Sequence, residues 1–479
     1  MGKFDNIKSE KVFKNFEMIN QIPRCSKEEE RISNFLKEWA EKRNFEVVQD
    51  EAKNIIIKKP ATDPTSKDAT VILQGHMDMV CEKNSDKVHD FSKDPIKLVI
   101  KEDYIYADNT TLGADNGIAL AMFMAILESE DISHPNLEVL ITTDEETGMT
   151  GVLNLDPSNL KGKTLINLDS EEEGQLTAGC AGGGRLSLKI NKDFKESNLK
   201  KACKIFIGGL SGGHSGIDID KERGNSNKLL GRILYEIEDE VDLKEVFGGS
   251  KTNAIPREAE AVVLTDNYDV VSKKVNALAE LIKKEFQVTD PNLSVKIQEV
   301  DVEDKKVLTD EIKKKVIRGI NLIKNGPMKK STEIDLIIFS NNLGVVKEND
   351  DFIELICAPR SSIESVLKNF RHEMKQLSQA LDIEYNEGNF YPGWEYASQS
   401  YIRELCKKTY KETFGDEAEV SAIHAGLECG FLSEKIENLD AISFGPNMYD
   451  VHTPDEHLSI GSTQRTYKLL CNILENYGK

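Results

Sequence analysis

Short apolar runs and amphipathic stretches alternate along the first third of the chain. NIIIKK (Asn54 to Lys59), TVILQG (Thr70 to Gly75), LEVLITT (Leu137 to Thr143) and TLINLD (Thr164 to Asp169) are brief and rich in β-branched residues, the pattern of buried strands. GADNGIALAMFMAILES (Gly113 to Ser129) carries apolar residues around most of its circumference, which predicts a largely buried helix. Strands alternating with helices predict an α/β fold with a mainly parallel sheet covered on both faces. In such a fold a functional site sits at the carboxyl ends of the strands.

A glycine cluster, GCAGGG (Gly179 to Gly184), reads as a boundary or hinge. It lacks the lysine and Ser/Thr ending of a phosphate-binding loop. Beyond it the pattern changes to strand-like RLSLKI and EAVVLT among polar helices such as VSKKVNALAELIKKEF, predicting an inserted α+β domain. SYIRELCKKTYKETFG (helix), AISFGPN (strand) and GSTQRTYKLLCNILENYG (helix) then return to the first pattern. The expected division is a first domain made of residues 1–185 and 392–479, with an insert at 186–391.

The 479 residues include 62 basic and 83 acidic side chains, a formal net charge of −21. Such a balance repels phosphate backbones and anionic membrane surfaces, so neither nucleic acid nor a membrane is an expected partner. The stretch MGKFDNIKSEKVFKNF at the amino terminus has no apolar core of signal-peptide length, and no segment elsewhere approaches the 18 or more apolar residues of a membrane span. Gly2 suggests a myristoylation start, but Asn6 stands where that motif wants Ser or Thr. The eight cysteines contain no CxxC pair, which disfavours a zinc knuckle and a disulfide framework and fits a reducing cytoplasm.

The chemistry gathers in a few clusters: GHMDM (His76, Asp78), GADNG (Asp115), TTDEETG (Asp144, Glu145, Glu146), NLDSEEEG (Asp169) and, far downstream, YDVHTPDEH (His452, His457). Carboxylates at one sheet edge repel each other unless positive charge lies among them, and a divalent metal supplies it most strongly. Imidazoles and carboxylates without thiolates suit zinc, with manganese or cobalt as substitutes. His76, Asp115, Glu146, Asp169 and His452 can serve a co-catalytic pair of ions about 3.5–4 Å apart if Asp115 bridges them. Of the doublet Glu145–Glu146, one carboxylate should bind metal and the other face substrate as the base of a hydrolysis. Asp78 either fixes the imidazole of His76 through its other ring N–H or orients the ion's surroundings indirectly.

The motifs QGHMDMV, ADNTTLGADNGIALA, TTDEETGM, INLDSEEEG, LSGGHSGIDI, NAIPREA, HAGLECG and GPNMYDVHTPDEHLSIGS, in this order, resemble those of the M20 metallopeptidases, specifically the aminoacyl-histidine dipeptidase branch. The resemblance implies a zinc-peptidase catalytic domain with an inserted lid, two Zn2+ per chain, and cleavage of small dipeptides such as β-Ala-His by a cytoplasmic monomer or homodimer. It assigns His76 and Asp169 to one ion, Glu146 and His452 to the other, Asp115 to both, Glu145 as general base and Asp78 as orienter of His76. It also implies a cis peptide after Asp115, a lid histidine, His214, on the oxyanion, and substrate contacts from Asn253, Arg360 and Gly426.

Rival readings are a related amide hydrolase, such as a tripeptidase or N-acyl amino acid deacylase, and a non-catalytic metal- or peptide-binding protein. The presence of Glu145 disfavours the latter, because simple binding has no use for a base. No Arg or Lys cluster accompanies the ligands, which disfavours a phosphoesterase. His89, His134 and His372 read as surface residues and His424 is left open, while Glu456 and His457 read as supports of their loop or of the following helix rather than as metal ligands. Asp144 and the run Glu171 to Glu173 read as neighbours of the site or as solvated, and VEDKKV and IKKKV as solvated faces.

Overall fold

The computed structural model describes residue 4 and residues 8–62 and 68–479. Gly2 and Asn6 lie outside the described residues. The chain divides into two units, one formed by 1–179, 396–422 and 427–479 and the other by 180–395 and 423–426. The segment Ile423–Gly426 thus goes with the insert, although the sequence pattern places it in the first domain.

In the first unit the strand Thr70–His76 lies between Asn136–Thr142 and Thr164–Asn167, parallel to both, and Asp440–Ser443 extends the parallel group beyond Thr164–Asn167. The flanks are antiparallel: Ile55–Lys59 pairs with Asn136–Thr142, and Glu46–Gln49 with Ile55–Lys59. Ile55, Ile56 and Ile57 and Val71, Ile72 and Leu73 are all buried, as continuous apolar strands in a covered sheet must be. The helix Ala114–Leu127 is buried at every position except Asp115. The parallel register sets His76 opposite Thr142 and Gln74 opposite Asn167, so the segments that follow these strands leave one edge of the sheet together.

The second unit is built on an antiparallel sheet in the order Ser294–Val300, Lys201–Gly208, Ala259–Thr265, Asp242–Gly248, Ile337–Glu348, Phe352–Ser361, Gly182–Asn191 and Glu384–Tyr391, with Gly326–Lys330 beside Ile337–Glu348. The helix Tyr268–Glu285 buries Val271, Val275, Ala279 and Ile282, one stripe at helical spacing. Its N-cap is Asn267, whose side chain accepts the Val270 N–H.

Three expectations are corrected. The glycine cluster contains the boundary between the two units, at Gly179 and Cys180, but it is no loose hinge, since Gly182–Asn191 is a paired strand. A Cβ at Gly182 would stand 2.3 Å from Gly393 N and one at Gly184 would stand 2.5 Å from the Phe390 ring, so these glycines permit close packing. His134 is 1% exposed rather than on the surface, and its Nδ1 lies 2.7 Å from the Pro135 carbonyl.

The third correction concerns the cysteines. Cys25 and Cys81 form a disulfide, with Cα atoms 5.7 Å apart, and Cys180, Cys203, Cys357, Cys406, Cys429 and Cys471 take part in no disulfide. The pair lies 56 positions apart in the chain, which hides it from any spacing rule. The two segments meet because Met79 N–H donates to the Arg24 carbonyl at 3.1 Å. In a chain prepared without reductant, six thiols react after unfolding and eight after reduction. On the chain-entropy model the bridge contributes about 4 kcal/mol, so Cys25→Ser lowers the denaturant midpoint relative to the oxidised protein. Eight reactive thiols in the unreduced, unfolded protein would disprove the pairing.

Candidate active site

Because the Thr70–His76, Asn136–Thr142 and Thr164–Asn167 strands run parallel, His76, the doublet Glu145–Glu146 and Asp169 emerge along one edge. Asp115 joins them from the first turn of the buried helix. Its side chain divides between two imidazoles: Oδ1 lies 3.1 Å from His76 Nε2 and Oδ2 lies 3.1 Å from His452 Nε2. Asp169 Oδ1 stands 3.4 Å from His76 Nε2, and Glu146 Oε2 stands 3.0 Å from His452 Nε2. Two donor groups, His76 with Asp169 and His452 with Glu146, therefore share one carboxylate.

Local structure sets each donor. The Asp115–Asn116 peptide is cis, the form the motif resemblance implies. The side chain of Asn116 accepts the His76 N–H at 3.2 Å and donates to the Leu168 carbonyl at 2.7 Å, so it joins three of the donor segments. Asp78, fully buried, brings Oδ1 within 3.2 Å of His76 Nδ1, although the pair is not aligned as a full hydrogen bond. The same carboxylate accepts the N–H groups of Glu145 at 3.1 Å and Glu146 at 3.3 Å and the Ser26 hydroxyl at 2.8 Å. Asp78 thus faces the imidazole and also holds the backbone of the acidic doublet, a second task that its spacing from His76 does not reveal. Asp144 keeps the turn by accepting the hydroxyls of Thr147 and Thr150.

The electrostatics call for positive charge. Burial alone would lower the proton affinity of His76, but Asp169, Asp115 and Asp78 outweigh it and hold the imidazole well above its ordinary range. His452 is pushed up to about 11 by its hydrogen bonds to Asp115 and Glu146. Glu145 is raised well above the usual carboxylate range, first by burial and then by the nearby charges of Asp169, Glu428 and Asp115.

The second unit places its own set. His214 pairs with Ala254, next to Asn253, in a short antiparallel ribbon, and the Asn253 carbonyl accepts the Ser215 N–H at 2.8 Å. His214 Nδ1 accepts the N–H groups of Gly216 at 3.3 Å and Ile217 at 3.1 Å, which leaves Nε2 to carry the ring proton. Burial, then the charge of Arg360, lowers its proton affinity and keeps it neutral. Arg360 donates to the Tyr391 hydroxyl at 2.9 Å, and a Cβ on Gly426 would come within 2.8 Å of the same ring. His424 is buried, with Nε2 at 2.7 Å from Ser340 Oγ. In the first unit His457 packs on the rings of Tyr106 and Tyr449, at 4.8 and 4.9 Å between centroids.

A family model described as peptidase family M20/M25/M40 matches residues 72–476. The chain belongs to that family. This M20 chain is 36% identical over 481 residues to the cytosol non-specific dipeptidase of Escherichia coli (strain K12), with 99% of each covered. Its structure is similar to the crystal structure of an aminoacylhistidine dipeptidase from Vibrio alginolyticus, with a TM-score of 0.95 and 35% identity over 99% of this chain and 98% of that one. An aminopeptidase, PepT from Bacillus cereus ATCC 10987, shares the fold at a TM-score of 0.57 and 17% identity, covering 99% of this chain and 100% of that one.

M20 peptidases depend on metal, and the donor set of this chain fits one. His76, Asp115 and Glu146 each offer a ligand atom within 4.8 Å of the others. Ligands about 2.0–2.1 Å from a tetrahedral zinc stand roughly 3.3 Å from one another. The nitrogen–oxygen separations here are 3.0, 3.1 and 3.4 Å. The partners of two buried carboxylates next to these donors escape a reading by motif. Glu428 accepts from Gln74 at 2.6 Å and Thr142 at 2.7 Å, and burial pushes its carboxyl up to about 7. It lies in HAGLECG, where His424 and Gly426 attract attention first. Glu456 is the other, and its contacts are described below.

Proposed function

We propose that this protein is a cytoplasmic, metal-dependent dipeptidase that hydrolyses unblocked dipeptides, among them Xaa-His substrates such as β-Ala-His, with two Zn2+ per chain and Co2+ or Mn2+ as substitutes. The observation that carries this reading is the carboxylate of Asp115 divided between two imidazoles, at 3.1 Å on either side. The relatedness to a cytosol non-specific dipeptidase of E. coli supports the substrate class. Among the described residues no helix is long and apolar enough to cross a membrane.

His76 and Asp169 would hold one ion, His452 and Glu146 the other, and Asp115 would serve both. When bound, the ions acidify the attacking water and draw charge from the scissile carbonyl. Asp78 keeps His76 and the Glu145–Glu146 backbone in place. Glu145 takes the proton of the attacking water and returns it to the departing amine. From the inserted unit, His214, Asn253, Arg360 and Gly426 are assigned to the dipeptide on motif resemblance. The neutral His214, with its proton on Nε2, is suited to donate to the tetrahedral oxyanion, a contribution of about 3 kcal/mol.

The test is a panel of β-Ala-His, a plain dipeptide, a tripeptide and an N-acylated amino acid, each with Zn2+, Co2+ and Mn2+. Both dipeptides are expected to turn over at least tenfold faster than the blocked or longer compounds, since a site with polar groups for a free terminus leaves them unpaired otherwise (about 1.4 kcal/mol per tenfold). Preference for the tripeptide or the acylated amino acid would replace this reading with one of another M20 amide hydrolase.

A further inference from the structure

Two buried charges of the first unit lie outside the donor set and grip one loop. Glu456, 2% exposed, accepts three successive backbone N–H groups, from Leu112 at 2.6 Å, Gly113 at 2.9 Å and Ala114 at 2.8 Å. Arg24, 1% exposed, donates to the Gly113 carbonyl at 2.6 Å and to the carbonyls of Met77 at 3.1 Å and Asp78 at 3.2 Å. Gly113 is held through its N–H by one charge and through its carbonyl by the other. Its φ of +68° is one that side-chain-bearing residues seldom adopt, and a Cβ there would stand 2.4 Å from Arg24 Nη2 and 2.7 Å from Met79 Sδ.

We propose that Glu456 and Arg24 are positioning residues that fix the Leu112–Ala114 backbone from its two sides and thereby hold Asp115 between His76 and His452. Buried charges are costly beside apolar packing of the same volume, so their use here is explained by the single backbone geometry they impose rather than by stability. The loop Leu112–Ala114 runs directly into Asp115, whose two oxygens must face different imidazoles at 3.1 Å. Glu456 lies on the same loop as His452, so one segment presents a donor and sets the partner of that donor. Arg24 ties the loop to the Met77 and Asp78 carbonyls, and so to the segment that follows His76. Groups behind metal ligands typically change metal affinity by about 10–100-fold when altered. This inference rests on the dinuclear reading given above.

The experiment compares the wild-type chain with Glu456→Gln and Arg24→Lys. Three quantities are measured: amide hydrogen exchange over 112–116, the melting temperature, and uptake of Co2+ by metal-free protein, followed by its visible absorption. Expected are faster exchange at 112–114, a 10–100-fold weaker Co2+ affinity and an altered absorption envelope in the folded variants. A purely structural role would lower the melting temperature and leave the envelope of the folded fraction unchanged; that result overturns the proposal. Should Glu456→Gln not fold, Glu456→Asp, which keeps the charge and withdraws it by one methylene, gives the same readings. If wild type takes up fewer than two Co2+, the dinuclear reading falls, and the exchange measurement still decides the clamp: unchanged protection at 112–114 in the variants refutes it.

Discussion

Glu145→Gln is expected to leave metal uptake intact and to lower kcat on an unblocked dipeptide by about 10²–10⁴-fold, the range that a positioned general base contributes. The substitution keeps the shape of the side chain and removes its ability to take a proton. The backbone of the doublet stays pinned, because Asp78 holds the Glu145 and Glu146 N–H groups at 3.1 and 3.3 Å whatever the side chain at 145. Glu146 keeps its place against His452 at 3.0 Å. KM should therefore move little while kcat falls. Turnover within tenfold of wild type, in protein shown by elemental analysis to carry its metal, would remove Glu145 from the mechanism.

The second large effect concerns the shared carboxylate. Asp115→Ala takes a donor from both groups at once, and uptake should drop from two ions per chain to one weakly held ion or none, with loss of measurable turnover. Asp169→Ala is the contrast: it touches only the His76 group, at 3.4 Å, and should cost one ion while the His452 group keeps its own. Equilibrium dialysis of the purified variants against buffered Zn2+ reads both results. Retention of two ions at wild-type affinity by Asp115→Ala would show that the carboxylate does not bridge.

Much of this arrangement was legible because strands are regular. Once VILQG, LEVLITT and TLINLD are read as neighbouring buried strands, the polar residues that follow them must collect at an edge, and period and register do the rest. The four central strands are parallel, as the alternation of strands and helices predicts. The antiparallel flanks, including Glu46–Gln49 against Ile55–Lys59, depend on a tight return that the apolar pattern does not encode. The partners of the bracing groups were out of reach for a different reason. Glu456 meets Leu112 across 344 positions and Glu428 meets Gln74 across 354, so no local spacing announces either contact. Cys25 with Cys81 and the buried His134 are similar cases, decided by how loops meet. Arg24 resembles any surface arginine until its three carbonyl partners are known.

The pairing of Thr164–Asn167 with Asp440–Ser443 has a consequence for how the protein comes into being. These neighbours in one sheet are separated in the chain by the whole inserted unit, and His452 follows the later of the two. During translation, early segments leave the ribosome and begin to fold first. His76, Asp115, Glu146 and Asp169 are all synthesised long before His452, so a nascent or prematurely terminated chain holds one donor group complete and the other without its imidazole. On the assignment proposed above, hydrolytic competence is expected only after His452 has been made.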